Sequence, residues 1–102
     1  VVAYDQEIRY TDDELERLFE EIQRLGLGEN TIFILTSDHG EEFFEHGLWG
    51  HGPTFYEEVT RVPLMLWGPG HIPAGRRVPG LVGHIDIMPT ILDLLNVGVP
   101  KQ

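Results

Sequence analysis

The stretch TIFILTSDHGEEFFEHGLWGHG, residues 31–52, joins a short apolar run to a loop rich in histidine and carboxylate. The run 31–36 shows no alternation of polar residues, which predicts a strand buried on both faces, as strands of parallel sheets are. Residues 36–52 contain three histidines, each followed by a glycine, and four carboxylates. In open α/β sheets, ligands bind at the carboxyl ends of the strands, so this junction is a candidate functional site.

The segment before this strand is predicted to be one helix over residues 1–25. Its apolar residues recur at steps of three, four or seven and form one stripe: Tyr4, Ile8, Leu15, Leu18, Ile22 and Leu25. The sequence TDDE also fits a capping box, so a helix that begins at Thr11 is an alternative. Gly26 is expected to end the helix.

The segment after the histidine-rich loop predicts a second strand and a second helix. Residues 37–60 are expected to form a long loop with a helical turn near 55–59, and 61–68 a second buried strand. Residues 79–84 suggest a short strand or extended segment. Residues 86–97 predict a helix with Asp86 at its N-cap. This order of elements predicts an α/β fold with a partial, mostly parallel sheet and flanking helices.

Composition restricts the possible function classes. The chain has 102 residues, of which 41% are hydrophobic, so a packed domain is expected. The formal net charge of −10 argues against a nucleic-acid partner, because nucleic-acid binders carry a basic face. No stretch reaches about 18 consecutive apolar residues, so no membrane-spanning segment is predicted. The chain has no cysteine, which excludes thiol chemistry by its own residues.

Asp38 and His39 are the strongest candidates for metal ligands. A carboxylate oxygen and an imidazole nitrogen both bind divalent cations. Adjacent residues on a strand point to opposite faces, so these two converge on one ion only if the backbone turns there, and Gly40 supplies that freedom. The alternative is a hydrogen-bonded pair with a structural role. Glu41 and Glu42 are either partners of the His39 ring or exposed loop acids.

Three segments resemble the later half of the catalytic domain of sulfatases, a family of the alkaline-phosphatase superfamily. They are YDQEIRYTDDELERLFEEI, TIFILTSDHGEEFFEHGLWGHGPTFYEEVTRVPLMLWGPG and HIDIMPTILDLL, in the order in which the family has them. The resemblance covers essentially the whole chain and implies that residues 1–102 are the C-terminal portion of such a domain. The activity that it implies is hydrolysis of a small-molecule or glycan sulfate ester.

The resemblance also implies roles for individual residues. Asp38 and His39 match the later ligands of the family's divalent cation, which is calcium in many sulfatases and manganese in some relatives; many sulfatases have asparagine at the position of His39. His51 lies where many sulfatases show a lysine that binds the sulfate and assists the leaving group. His46 is a further candidate for substrate contact.

The family's nucleophile is a formylglycine made from Cys or Ser in an upstream C/S-x-P-x-R motif, and residues 1–102 contain no such motif. The isolated chain is therefore expected to be inactive and to need the remaining half of the catalytic domain. It is also expected to self-associate through the two predicted apolar strands, 31–36 and 61–68, which the remaining half of the domain would normally cover. Two alternatives stay open. One is a phosphonate or phosphate monoester hydrolase, or a phosphoglycerol transferase, of the same superfamily; the other is a non-catalytic structural module.

Overall fold

The structure is a computed structural model that describes residues 1–52 and 54–98. The chain divides into two compact units, Val1–Ile72 and Pro73–Gln102. The elements of the first unit are α1 (Val2–Arg24), a short 3-10 helix (Gly28–Asn30), β1 (Phe33–Thr36), β2 (Glu42–Phe43), β3 (Trp49–Gly50), α2 (Glu57–Thr60) and β4 (Leu64–Trp67). The second unit contains α3 (Ile87–Leu94), which follows a short 3-10 helix, His84–Asp86.

The first helix confirms the prediction from the apolar stripe. Helix α1 runs from Val2 to Arg24, so the alternative start at Thr11 is wrong. Gly26 follows the helix with φ +69°, a conformation that glycine adopts without steric cost, and it ends the helix as predicted. The ring of Phe19 contacts the rings of Phe33 and Trp67, with centroids 4.3 and 5.4 Å away, and thereby packs α1 on the sheet.

The prediction of a mostly parallel sheet is not met in the described residues. Strand β1 pairs with β4 in antiparallel orientation, with Phe33 opposite Trp67 and Thr36 opposite Leu64. The second pair, β2 with β3, is antiparallel as well. The apolar composition of the two longer strands indicated burial, but burial carries no information on strand direction. Direction is determined by the connection, and here the chain reverses between Thr36 and Leu64.

The histidine-rich loop has more local structure than its sequence predicts. Strands β2 and β3 form a two-residue ladder, with Glu42 opposite Gly50, across a turn in which Phe44 has φ +73°. The predicted helical turn is present as α2, which begins two residues and ends one residue later than expected. Val59 of α2 is buried, with 7% of its surface exposed.

The second unit contains the predicted C-terminal helix in a shorter form. Helix α3 ends at Leu94, and Asn96 follows with φ +52°. Asp86 does not cap it by a side-chain hydrogen bond; its Oδ2 accepts from the N–H of Gly83 at 2.8 Å instead, closing the 3-10 turn before the helix. No strand forms within residues 79–84.

Many large apolar side chains are exposed to solvent in both units. The exposed fraction is 87% for Phe55, 86% for Ile85 and 106% for Leu81. Val59 is the one hydrophobic side chain classed as buried in the described part of the chain. No helix within residues 1–52 and 54–98 combines the length and the apolar character needed to cross a bilayer.

This exposure predicts that the isolated chain self-associates. Contiguous apolar surface and unpaired strand edges recruit partners, including further copies of the same chain. Sedimentation over a concentration series in the micromolar range is expected to show a mass above 11.6 kDa that rises with concentration. A monomer of constant mass over the whole series would contradict this prediction.

Candidate functional site

Asp38 and His39 lie in the turn after β1, and their side chains converge. Nδ1 of His39 lies 2.9 Å from the carbonyl oxygen of Gly40. A carbonyl only accepts hydrogen bonds, so Nδ1 donates to it, and Nε2 is the ring nitrogen that is left for a metal. Nε2 lies 3.8 Å from Oδ2 of Asp38. The backbone turn therefore presents one carboxylate oxygen and one imidazole nitrogen to a common point.

The carboxylate of Asp38 is held in its ionised form. Its own backbone N–H, and next the nearby charge of His39, lower the pKa of this side chain. The N–H of His39 also donates to Oδ1 at 3.1 Å. Metal ligands of this type must be deprotonated. With Oδ1 engaged by the backbone, Oδ2 is the oxygen that faces the His39 ring.

His51 contacts the His39 ring from the other end of the loop. Its ring stacks on the ring of His39, with centroids 3.9 Å apart and planes inclined by 28°. Nδ1 of His51 lies 3.3 Å from Oε2 of Glu41. His39, Glu41 and His51 each offer one atom able to bind a metal, and these atoms lie within 4.8 Å of one another. Glu41 is thus a partner of the His51 ring.

His46 belongs to a different cluster. Its Nδ1 hydrogen-bonds Oε1 of Glu58, and its ring stacks on that of Tyr56 with centroids 3.6 Å apart and planes inclined by 10°. Donor atoms of Glu42, His46 and Glu58 lie within 4.8 Å of one another. The sequence suggested substrate contact for both His46 and His51, but the structure groups only His51 with His39.

Glu42 occupies a position that the sequence did not indicate. Its exposed fraction is 0%, so it is neither an exposed loop acid nor a partner of His39. Oε1 accepts the N–H groups of His46 and Leu48, both at 3.1 Å, and Oε2 accepts the hydroxyl of Thr54 at 3.3 Å. The acidic residues around Glu42 are typical of a solvated loop. Nothing in the composition of the segment indicates that Glu42 is the buried acid.

Gly40 joins the turn after β1 to helix α2. Its N–H donates to the carbonyl of Val59 at 2.7 Å. A Cβ at this position would lie 2.0 Å from the carbonyl oxygen of Glu58. Only glycine allows the two backbones to approach this closely.

The comparisons with known proteins identify the family of the chain. The family model for sulfatases matches residues 1–97. The chain belongs to the sulfatase family. Its α/β character is that of the alkaline-phosphatase-like fold, which the family implies. No solved structure matches the chain at a significant level.

Several sulfatases are similar to the chain over most of its length. Arylsulfatase K of Mus musculus is 40% identical over 92 residues, which are 90% of this chain and 16% of that protein. Choline-sulfatase of Rhizobium meliloti is 34% identical over 99 residues, 97% of this chain and 19% of that protein. N-acetylglucosamine-6-O-sulfatase of Bacteroides thetaiotaomicron is 37% identical over 91 residues, which are 89% of this chain and 16% of that protein. The chain therefore spans 16% to 19% of the length of these relatives.

The contact at Gly40 predicts that this sulfatase segment does not tolerate a side chain there. Gly40→Ala forces the two backbones apart, and overpacking of this kind lowers the free energy of unfolding by about 1–3 kcal/mol. Urea unfolding followed by circular dichroism measures the change. Gly52→Ala is the matched control, because a Cβ at Gly52 meets no atom within 4 Å; its effect is expected to stay within about 0.5 kcal/mol. Equal effects of the two substitutions would contradict the assigned contact.

Proposed function

We propose that residues 1–102 form the later part of a sulfatase catalytic domain that hydrolyses sulfate esters, with Asp38 and His39 as metal ligands and His51 as a catalytic residue. The observation that carries this proposal is the convergence of three side chains at the end of β1. Oδ2 of Asp38 lies 3.8 Å from Nε2 of His39, and the ring of His51 stacks on that of His39. Membership of the sulfatase family supports the reaction class.

The donor set of Asp38 and His39 fits a divalent cation such as calcium or manganese. Carboxylate oxygens suit both ions, and an imidazole nitrogen adds a ligand that manganese accepts. The hydrogen bond from Nδ1 of His39 to the Gly40 carbonyl orients the ring and leaves Nε2 available. Metal-binding histidines usually donate their other ring N–H in this way. When bound, such a cation polarises the oxygens of the ester and its nucleophile as a Lewis acid.

His51 is proposed to hold the sulfate group and to deliver a proton to the leaving oxygen. Histidine titrates near neutral pH and serves as both cation and general acid. Glu41 engages Nδ1 of His51, which leaves Nε2 as the nitrogen that faces substrate. His46, in its separate cluster, is proposed as a more distant substrate contact. The nucleophile, a formylglycine in the family, is supplied by the remainder of the catalytic domain.

The substrate is proposed to be a small-molecule or glycan sulfate ester. The similar proteins are named for aryl sulfates, choline sulfate and N-acetylglucosamine 6-O-sulfate. Their common feature with this chain is the segment that contains the histidine-rich loop. We therefore assign to this segment the chemistry that these enzymes share, and the choice of substrate to other parts of the domain.

The metal assignment predicts weak but specific binding of a divalent cation by the isolated chain. Two protein ligands leave most positions of manganese, which takes near six ligands, to water. Titration with manganese chloride, followed by electron paramagnetic resonance of the free ion, is expected to give saturable binding. Asp38→Asn and His39→Ala should each weaken it at least about tenfold. Glu57→Gln, which changes an acid that is 83% exposed, is the control. Unchanged affinity in both site variants would refute the assignment.

The role of His51 predicts a graded response to substitution in the intact protein. His51→Ala is expected to lower kcat for an aryl sulfate about 10²–10⁴-fold, since it removes a general acid. His51→Lys restores a cation and should retain more activity than His51→Ala. Its activity should also extend to higher pH, because lysine keeps its charge to about pH 10.

Three controls accompany this assay. The isolated chain is expected to show no turnover, because it lacks the nucleophile. Glu57→Gln should behave as the unsubstituted protein. An aryl phosphate is assayed in parallel, and its preferential hydrolysis would favour a phosphoryl-transferring member of the superfamily. Full activity of His51→Ala would remove His51 from the mechanism.

A further inference from the structure

We propose that the buried carboxylate of Glu42 is the positioning residue of His51: it holds the loop on both sides of that histidine and so keeps the ring against His39. The functional meaning of this placement rests on the role proposed above for His51. The placement itself rests only on contacts within the loop. Glu42 offers no atom to substrate and acts through the backbone that carries His51.

The contacts of Glu42 bracket His51 along the chain. On the N-terminal side, Oε1 accepts the N–H of Leu48 at 3.1 Å, three residues before His51. On the C-terminal side, Oε2 accepts the hydroxyl of Thr54 at 3.3 Å, three residues after it. The backbone of Glu42 also pairs with Gly50, the residue next to His51. Leu48, Gly50 and Thr54 are thus each attached to Glu42.

The ring of His51 contacts Glu41 and His39, but in the described part of the loop the backbone beside it has little regular secondary structure. Gly50 has φ +97°, and the N–H of Leu48 belongs to a turn that has no helix or long strand around it. Glycine-rich segments of this kind lose much conformational entropy on ordering, so they remain ordered only where strong contacts oppose that loss. Hydrogen bonds to an ionised carboxylate are about twice as strong as those between neutral groups.

The chemistry of the Glu42 carboxylate favours positioning over binding of a metal in this second cluster. Three donors already occupy its two oxygens, and they all come from the loop itself. The Nδ1 of His46 is likewise engaged, by Glu58. These donors leave one lone-pair position, on Oε2, so a cation in this cluster would meet a carboxylate that is already largely engaged by the loop.

The test compares Glu42→Ala with Glu42→Gln in the 102-residue chain. The readout is the NMR cross-relaxation between the ring protons of His39 and His51, together with circular dichroism of the helices. Glu42→Ala is expected to abolish the ring contact while the helical signal is unchanged. Glu42→Gln keeps an acceptor oxygen for Leu48 and should preserve the contact, as should the exposed control Glu57→Ala. Persistence of the ring contact in Glu42→Ala would overturn the proposal.

A second variant decides the case if Glu42→Ala loses its helical signal as well. Thr54→Val removes only the hydrogen bond on the C-terminal side of His51 and leaves Oε1 with both of its donors. It is expected to weaken the ring contact at unchanged helical signal. An unaltered ring contact in Thr54→Val would overturn the proposal in that case.

Kinetics of the intact protein separate this inference from the proposed function. If Glu42 acts through His51, Glu42→Ala lowers kcat in the otherwise unsubstituted protein but has little further effect in a His51→Ala background. Equal losses in both backgrounds would show that Glu42 does not act through His51. Absence of sulfate ester hydrolysis by the unsubstituted protein would refute the proposed function, whereas the ring contact would still decide the placement of His51.

Discussion

The contact between the backbone of Gly40 and helix α2 is the constraint on which both histidine clusters depend. The N–H of Gly40 donates to the carbonyl of Val59 at 2.7 Å, and there is no space for a Cβ beside the carbonyl of Glu58. This contact holds the turn that carries Asp38 and His39. The side chain of Glu58, on the same helix, holds His46. A four-residue helix therefore orients both sides of the loop, although it is too short to be stable alone.

The buried carboxylate of Glu42 organises the remainder of the loop. Burial of an ion without partners costs several kcal/mol, so a fully buried glutamate is tolerated only where donors surround it. Two backbone N–H groups and one hydroxyl provide those donors here. The same three bonds satisfy polar groups of a turn that has little regular secondary structure. The burial of the carboxylate and the order of the loop are therefore linked. The loop provides the donors that the buried carboxylate needs, and the carboxylate provides the acceptors that the loop needs.

The elements that could be predicted from the sequence are those determined by neighbouring residues. The apolar stripe predicted α1, and Gly26 marked its end because the backbone there requires a positive φ. Strand direction could not be predicted, because it depends on how the chain reverses between Thr36 and Leu64. In the site, the strand end and the family resemblance indicated Asp38, His39 and His51. The partners of these residues, such as Glu41 ten positions before His51, are determined by the fold of the loop and have no local signal.

The charge of the site explains why a cation is needed for the proposed reaction. The chain carries a formal net charge of −10; the carboxylate of Asp38 lies beside the His39 ring, and that of Glu41 lies beside the His51 ring. Histidines that bind a metal do so as neutral imidazoles and add no positive charge. A sulfate ester is an anion, so these residues alone would repel it. If a divalent cation binds Asp38 and His39 as proposed, its two positive charges offset the charges of the two carboxylates, and the anion can then approach the His51 ring. In the proposed mechanism, the Asp38 carboxylate that would repel the sulfate group is also the group that would retain the cation, so binding of the substrate would depend on the metal.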